Sequence, residues 1–501
     1  MKPTTPEAYK LFHDGTLALS RMEAHGINIH TERLAETIVS VSGQIDTIAK
    51  ELHDSPEWEA WRKRFGMNAE LGKRQQLGIL LFDILGHTYP YEKKGDYTVD
   101  EKVMSTLNLE FCNLYVRMQK LLKLRSTYLL GIQSHITPDG LVHGTYSLTI
   151  PITYRSSAFD PNWQNVPIRD PEIGKLIRRC IIPREEHQLI EVDFKGAEVC
   201  VAACYHKDQR MLRYIRDGYD MHVGSAMHCF LIEKADVTKE LRQHAKGAFT
   251  FAAFYGDWYK SMAVGLWGLI EKHGLKTKQG IPMQDHLRSR GIGRRGLCAP
   301  KGDTVEGTYE HVIQKAEHWL WKEEFTQYDK WKKDWYAEYQ KNGSFHTLTG
   351  FTLHGPFSKN DACNYPVQGS AFHCLLWCLI EMTKEIAKQR KKTKLVAQIH
   401  DSILADVPTE EVDWYLATLN DIITCRLPEA WKWIITPMIA EAEVVPVGGS
   451  WFDKEEVNLG AIEYGHSRAI ATPACVACAG SGTSTSGKPC TPCKGTGLKV
   501  G

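Results

Sequence analysis

The segment QIHDSILADV, residues 398–407, contains two short apolar runs that meet at the polar pair His400 and Asp401. The run LVAQI before the pair and the run SILADV after it are each typical of a short β-strand. The segment therefore predicts a hairpin with Asp401 at its turn. Aspartate is common in tight turns because its side chain bonds to the local backbone. A carboxylate at the end of two buried strands is also suited to bind a metal ion. On these residues alone both interpretations stay open.

The composition predicts a soluble, cytoplasmic protein of several domains. The chain has 501 residues, of which 43% are hydrophobic and 24% charged, enough for two to four domains at about 100–200 residues each. A net charge of +1 neither supports nor excludes nucleic-acid binding. No run of apolar residues is long enough to cross a membrane, and the N-terminus lacks the apolar core of a signal peptide. We therefore expect no membrane partner, and a host cytoplasm if the protein is viral.

A second aspartate ends another apolar strand. In LIEVDF, residues 189–194, Asp193 follows an apolar-rich alternation, and Glu198 comes five residues later on the next predicted helix. Asp193 is equally well explained as the N-cap of that helix. However, Asp193 and Asp401 could also share a pair of Mg²⁺ ions, which lie about 3.5–4 Å apart in enzymes of phosphoryl and nucleotidyl transfer. Such ions accept one or two carboxylates, with water and phosphate oxygens as the remaining ligands.

A pair of cations lies in LRQHAKGAFTFAAFYGDW, residues 241–258. Arg242 and Lys246 are four residues apart, so on a helix they share a face. Two cations beside aromatic residues suit a triphosphate, whose charge must be neutralised as the phosphates move. A solvated basic pair is the simpler interpretation of these two residues alone.

Six segments in one order identify a family. They are TYRSSAFDPNWQNVP, VDFKGAEVCVAACY, DMHVGSAM, RQHAKGAFTFAAFYG, NYPVQGSAF and QIHDS. The series resembles the family A DNA polymerases, over a region from about residue 22 to about residue 456. The resemblance implies an α+β right-hand fold, with a mixed sheet in the palm. The implied parts are a helical thumb at 1–145, a palm at 146–235 and 346–457, fingers at 236–345, a linker at 458–472 and a zinc-binding tail at 473–501.

The resemblance also implies a role for each matching residue. Asp193 and Asp401 would bind two Mg²⁺ ions, with His400 as support; Ser402 stands where the family often has a glutamate. Glu198 would exclude a nucleotide that carries a 2′-OH. Residues implied to contact the triphosphate are Arg242, Lys246 and His222, with Lys246 also donating a proton to the leaving pyrophosphate. Residues implied to lie at the primer and template are Arg155 and Gln368, in the minor groove of the terminal base pair, and Asn162, Gln164, Asn165 and Asn364.

The predicted fingers helix departs from the family pattern by one residue. The family spaces its lysine, aromatic residue and tyrosine at four and eight residues, whereas Phe251 and Tyr255 lie five and nine residues after Lys246. A single π-helical turn would absorb the extra residue. On that interpretation Phe251 packs on the sugar and Tyr255 lies at the template side. A regular helix would give these positions to Thr250 and Phe254.

The implied function is template-directed DNA synthesis from dNTPs by a two-metal-ion mechanism. Thumb-like helices begin almost at Met1, so we expect no proofreading exonuclease domain and a phage or mobile-element origin. A separate exonuclease, a helicase or a primase would then be partner proteins. A single-subunit RNA polymerase is the enzymatic alternative, and Glu198 argues against it. A non-catalytic adaptor is the other alternative, and the presence of both aspartates argues against that.

The basic loop and the cysteine tail lie outside the pattern of the family that the chain resembles. The loop around Arg288, Arg290, Arg294 and Arg295 either touches the template or is a plain surface loop. The tail CVACAGSGTSTSGKPCTPCKGTG has two CxxCxGxG units, a common arrangement for tetrahedral Zn²⁺, and resembles the cysteine-rich module of DnaJ-type chaperones. The predicted zinc ligands are Cys475, Cys478, Cys490 and Cys493. The other cysteines, scattered singly in apolar surroundings, are expected to be reduced core residues.

Overall fold

The computed structural model describes residues 4–89, 97–105, 107–167, 170–293 and 304–459. The chain divides into two units, residues 1–457 and residues 458–501. The first unit is described below. Within the described ranges, none of the helices has both the length and the apolar character needed to cross a membrane.

The N-terminal part of the chain is helical, as the spacing of its apolar residues predicts. Its elements are α1 (Pro6–His25), β1 (Ile27–Asn28), α2 (Thr31–His53), α3 (Pro56–Phe65), α4 (Arg74–Ile79), α5 (Glu101–Ser105), α6 (Glu110–Lys123), α7 (Leu130–Ser134) and β2 (Leu141–Val142). β1 and β2 pair antiparallel. α2 packs on α6, and the core between these helices buries Leu52, Trp61 and Leu121 completely.

One detail of this region differs from the prediction. The apolar residues between Leu109 and Ile136 recur at helical spacing and predict an amphipathic pair of helices. Instead α6 continues through a π-helical turn at Leu124–Leu129 into α7. No glycine or proline occurs between residues 110 and 130, so nothing in the sequence breaks the helix there.

A five-stranded sheet is formed by strands that lie between residues 187 and 457. Its strands are β5 (His187–Phe194), β8 (Lys394–Ile399), β9 (Ser402–Pro408), β10 (Ala440–Val444) and β11 (Glu455–Val457), in the order β11-β10-β5-β9-β8. The predicted hairpin of β8 and β9 is confirmed. The expectation of a mixed sheet is wrong, because all four pairings are antiparallel. β9 is buried along its whole length, and such continuous apolar strands resemble those of parallel sheets in sequence.

Helices and two small hairpins surround this sheet. They are β3 (Thr145–Ser147) with β4 (Ser157–Phe159), α8 (Pro171–Arg178), α9 (Ala197–His206), β6 (Ser344–His346) with β7 (Thr352–His354), α18 (Lys359–Lys388), α19 (Val412–Asp421) and α20 (Leu427–Ala430). α18 begins with a capping box in which the hydroxyl of Ser358 and the carboxylate of Asp361 each bond to the other's backbone N–H. α1 packs on both α18 and β8.

The remaining helices form a second core. They are α10 (Gln209–Asp217), α11 (Met221–Phe230), α12 (Lys239–Ala245), α13 (Ala252–Phe254), α14 (Tyr259–His273), α15 (Met283–Ser289), α16 (Tyr309–Trp319) and α17 (Thr326–Asn342). Phe230, Phe249 and Tyr309 are fully buried in that core. Cys200, Cys204, Cys374 and Cys378 are free and buried, as predicted, whereas the prediction of a core position is wrong for Cys425, which is free and exposed.

Candidate active site

Sheet register places Asp193 beside the hairpin turn that carries Asp401. Asp193 on β5 pairs with Ser402, the first residue of β9, and the backbone N–H of Phe194 donates to the carbonyl of Asp401 at 3.3 Å. The N-cap interpretation of Asp193 is wrong. The N-cap of α9 is Gly196, which has a left-handed backbone and no capping side chain. The two aspartates, far apart in sequence, therefore lie at one end of adjacent strands.

The pKa values of both carboxylates are raised, and the charge of Asp401 contributes to the shift of Asp193. Asp193 is exposed near the end of β5, the central strand of the sheet. The protein atoms around its carboxylate nevertheless limit the hydration of this group. This desolvation, together with the charge of Asp401, raises the pKa of Asp193 to about 7. Partial burial raises the pKa of Asp401 too, although Arg155 opposes that effect. A divalent cation between the two groups would relieve both effects.

The donor set fits Mg²⁺. Among the residues that the structure describes, no group of three or more His, Cys, Asp or Glu side chains is arranged to hold a metal. Asp193 and Asp401 are two carboxylates at neighbouring strand ends, and Mg²⁺ commonly binds one or two carboxylates with water and substrate phosphates.

A buried polar network supports the hairpin turn, and its centre, Gln398, was not predicted. The Gln398 amide accepts from Ser156 Oγ at 2.5 Å and from Gln164 Nε2 at 2.9 Å, and donates to the carbonyl of His400 at 2.5 Å. The Gln398 backbone N–H donates to the hydroxyl of Tyr146 at 3.1 Å. Gln164, expected at the template, has its amide in this network. The available signal was Gln398 itself, the one polar residue inside an apolar strand.

Ser402, the departure from the family pattern, has a carboxylate partner. Its Oγ donates to Glu191 Oε1 at 2.9 Å, and Glu191 Oε2 accepts from Trp451 Nε1 at 2.9 Å and from Lys454 Nζ at 2.6 Å. Burial opposes ionisation of Glu191, but Lys454 and the hydrogen bonds outweigh it and lower its pKa. Glu191 is two residues before Asp193 on β5, so both side chains lie on one face of the sheet. The sequence prediction missed Glu191.

Glu198 joins the sheet region to the second helical region. Its two carboxylate oxygens accept from Arg155 Nη2 and from the hydroxyl of Tyr255. Arg155 Nε also donates to the backbone carbonyl of Gln368 at 3.4 Å. Burial and the charge of Glu198 raise the pKa of Tyr255. The structure thus brings together four of the residues predicted from separate motifs.

The predicted π-helical turn is confirmed at Lys246–Phe251, between α12 and α13. Thr250 is fully buried and donates to Ser225 Oγ at 2.8 Å, and Phe254 packs into the core. Tyr255 is exposed and Phe251 half-buried. The regular-helix alternative is therefore wrong: Thr250 and Phe254 are core residues.

Three predicted phosphate ligands lie near the start of this helix. Lys246 Nζ lies 5.3 Å from the Phe251 ring centroid, and the His222 ring meets the same ring edge-on at 5.4 Å. Arg242 forms an ion pair with Asp220, which also caps α11 by accepting from the N–H of His222 at 3.0 Å. Asp220 was not predicted; an aspartate directly before a helix start was the available signal.

His222 is held neutral. Desolvation, reinforced by Lys246 and Arg242 and opposed by Asp220, lowers its pKa to about 4. Its Nδ1 is buried and has no hydrogen-bond partner within the described residues. A neutral imidazole carries one N–H, so the ring can donate one hydrogen bond without adding a charge.

The remaining predicted residues are more peripheral. Asn162 caps a short turn by accepting from the N–H of Gln164 at 3.0 Å, and Asn364 Nδ2 donates to the carbonyl of Tyr255 at 2.9 Å. The side chains of Asn165 and His400 are exposed. The prediction of a loop is wrong for Arg288, which lies on α15 and pairs with Asp285 at 2.8 Å, while Arg290 is the exposed residue that ends this helix. Four predicted zinc ligands and two arginines lie outside the described residues: Cys475, Cys478, Cys490, Cys493, Arg294 and Arg295.

A family model and curated relatives match the sequence of this chain. The family model for DNA polymerase family A matches residues 34–274 and 319–440. DNA polymerase I of Streptococcus pneumoniae serotype 4 is 27% identical over 441 residues, covering 87% of this chain and 45% of that protein. DNA polymerase I of Lactococcus lactis subsp. lactis is 28% identical over 398 residues, 79% of this chain and 41% of that protein. The chain thus spans less than half the length of these relatives.

A solved structure shares the fold. The POL domain of Pol1 from M. smegmatis, solved in complex with DNA primer-template and dNTP, has a TM-score of 0.69 and 22% sequence identity. The match covers 88% of this chain and 70% of that one.

Proposed function

The chain belongs to the family A DNA polymerases, and on that premise we propose that it extends a primer 3′-OH with deoxynucleotides selected by a template strand. The observation that carries this proposal is the pair Asp193 and Asp401 at one edge of the palm sheet. Arg155 and Glu198 lie beside this pair, and Tyr255 reaches Glu198 from the fingers.

Asp193 and Asp401 would hold two Mg²⁺ ions, which when bound activate the primer hydroxyl and neutralise charge on the phosphates. Arg242 would leave its partner Asp220 and bind the triphosphate together with Lys246 and His222. Lys246 would donate its proton to the departing pyrophosphate. The neutral His222 would orient a phosphate oxygen through a hydrogen bond.

Glu198 would set the sugar specificity. Arg155 and Tyr255 both donate to its carboxylate, so the side chain is fixed from two sides. A fixed carboxylate in the sugar pocket leaves little room for a 2′-OH, so the proposed substrates are dNTPs. Arg155 and Gln368 would contact the minor groove edge of the terminal base pair, where acceptors occur in every correct pair.

Primer extension tests the proposal. A 5′-labelled primer on a longer template is incubated with Mg²⁺ and either dNTPs or NTPs, using wild type, Asp401→Asn and, as the matched control, Asp413→Asn on the exposed face of α19. We expect extension by wild type and the control with dNTPs alone, and none by Asp401→Asn. Extension with NTPs alone would instead favour the RNA polymerase alternative. No extension by folded wild type with either set would refute polymerase activity.

The absence of intrinsic proofreading stays a prediction. Incubation of a mismatched primer terminus with Mg²⁺ and no dNTPs checks it: the predicted result is an intact primer. Shortening from the 3′ end would contradict it. The phage or mobile-element origin also stays a prediction.

We also propose that Cys475, Cys478, Cys490 and Cys493 bind one Zn²⁺ ion. Two CxxC pairs in a cysteine-rich tail support this. Elemental analysis of the purified protein should find about one zinc per chain, and none after all four cysteines are changed to serine. Equal zinc in both proteins would refute the assignment.

A further inference from the structure

A strongly basic segment joins α18 to β8. The sequence KQRKKTK, residues 388–394, contains five cations in seven residues. Arg21 on α1 lines the same cavity as Arg390 and Lys391. None of the roles proposed above for primer, template or nucleotide uses these residues.

Lys388 forms an ion pair with Glu385 at 3.8 Å, whereas the cations that line the cavity have no carboxylate within ion-pair distance in the described part of the chain. Within the described part of the chain, Arg21, Arg390 and Lys394 form no ion pair, and Lys391 instead lies 4.8 Å from the Trp414 ring centroid. Two of them, Arg21 and Lys394, act electrostatically on His25, which also lines the cavity. Burial lowers the pKa of His25, and Lys394, Arg184 and Arg21 lower it further. Unpaired cations that act on one cavity attract an anionic ligand.

The floor of the cavity is apolar. Ala18 and Met22 of α1, Ile386 of α18 and Leu395 of β8 line a space of about 280 Å³. This volume accommodates one or two large side chains. Arg21, Arg390 and Lys391 stand around it, and we call these seven residues the basic groove.

We propose that the basic groove docks an acidic peptide segment of a partner protein. Carboxylates of the peptide contact Arg21, Arg390 and Lys391, and an apolar side chain between them enters the space over Met22 and Ile386. Charge complementarity selects an acidic occupant, and the apolar floor selects a peptide, because a nucleic-acid backbone has no group that fills it.

The groove lies away from the proposed catalytic residues. β8 runs from Lys394 to Ile399 before the turn at Asp401, so the basic end of the strand is about 20 Å from that turn. A docked partner therefore leaves the nucleotide site open. The inference does not depend on polymerase activity, and its test measures binding alone.

The probe is the fluorescein-labelled peptide EDDLFDDLFE, added to the full chain and followed by fluorescence polarisation. We expect saturable binding that weakens at least about tenfold in Arg21→Glu/Lys391→Glu, because two favourable contacts become repulsive. The matched control, Arg62→Glu/Lys63→Glu on the exposed face of α3, makes the same charge change and should bind like wild type. Thermal unfolding confirms that each variant is folded, and Arg21→Gln/Lys391→Gln replaces the reversal if it is not.

Three further results decide against the proposal. Absence of peptide binding to wild type overturns it. So does displacement of the peptide by excess primer-template, which would place the peptide in the DNA cleft.

A second peptide tests the apolar floor of the groove. A peptide with serine in place of leucine and phenylalanine should bind several-fold more weakly. Equal binding, together with competition by a single-stranded oligonucleotide, would show a general polyanion surface instead.

Discussion

The palm sheet with strands β5, β8 and β9 and the fingers helices α11 and α12 both carry polar or charged groups. The two regions differ in how far these groups are exposed. On the palm, Gln398 and Glu191, which support the hairpin of Asp401, are 1% and 8% exposed. On the fingers, the side chains of Arg242 and its partner Asp220 are 32% and 35% exposed. A buried polar group without a partner costs far more free energy than an exposed one, so the palm network must be complete in the folded chain. Exposed ion pairs contribute little and can open.

This difference indicates how the site works. The fold fixes the two aspartates before any substrate binds. The fingers hold Arg242 in a partly exposed ion pair with Asp220, which under the proposed function a triphosphate would replace. Glu198 belongs to both regions, since Arg155 reaches it from the palm side and Tyr255 from the fingers. Substitutions in the palm should therefore affect stability and maximal rate, and substitutions in the fingers should affect nucleotide affinity.

A large change in sugar selection is expected at the junction of the two regions. Glu198→Ala removes the carboxylate that is proposed to close the sugar pocket and frees both Arg155 and Tyr255. We expect discrimination between dNTPs and NTPs to fall by roughly 10–100-fold, since an apolar pocket rejects an added hydroxyl only weakly. The ratio of kcat/KM for dNTP and NTP, measured by primer extension, checks this. An unchanged ratio would show that another residue selects the sugar.

A palm support residue should mainly affect stability. Gln398→Ala removes the acceptor of Ser156 and Gln164, which then keep only the bond between them, and removes the donor to the carbonyl of His400. We expect a loss of about 2 kcal/mol in the free energy of unfolding. Urea denaturation measures this loss, with Gln75→Ala at an exposed position of α4 as the control. If both variants unfold alike, the network does not support the hairpin.

A smaller effect concerns how the stability of the metal-free protein depends on pH. The folded chain holds a proton on Asp193 up to about pH 7, whereas an unfolded aspartate releases it near its ordinary pKa of 3.8. Because the folded state binds more protons between these values, stability should fall as pH rises from about 4 to 7. Asp193→Asn removes this dependence, so the variant should exceed wild type at pH 8 but not at pH 4. The gain should be below about 1 kcal/mol because Asp193 is accessible and screened.

Thermal unfolding in EDTA across this pH range tests that effect. A constant difference between wild type and Asp193→Asn at every pH would contradict the shifted pKa.

The sequence predicted some parts of this comparison and not others. Asp193 and Asp401 were identifiable because each ends an apolar strand within a motif. The π-helical turn followed from counting residues between Lys246 and Tyr255. The contact of Glu191 with Ser402 was not identifiable, since it depends on the register between strands distant in sequence. The direction of the strands was missed for a related reason: burial on both faces removes the alternation that marks an antiparallel strand.

The most direct test of the division between palm and fingers is single-turnover incorporation of one dNTP, measured over a range of dNTP concentrations. For Asp401→Asn the account predicts a maximal rate lower by about 10³-fold or more, with the apparent Kd of the dNTP changed little. For Arg242→Gln it predicts an apparent Kd higher by about tenfold or more, from loss of a charged hydrogen bond to phosphate, with a smaller change in maximal rate. An Asp401→Asn enzyme that keeps its rate, or an Arg242→Gln enzyme that keeps its nucleotide affinity, would contradict the account.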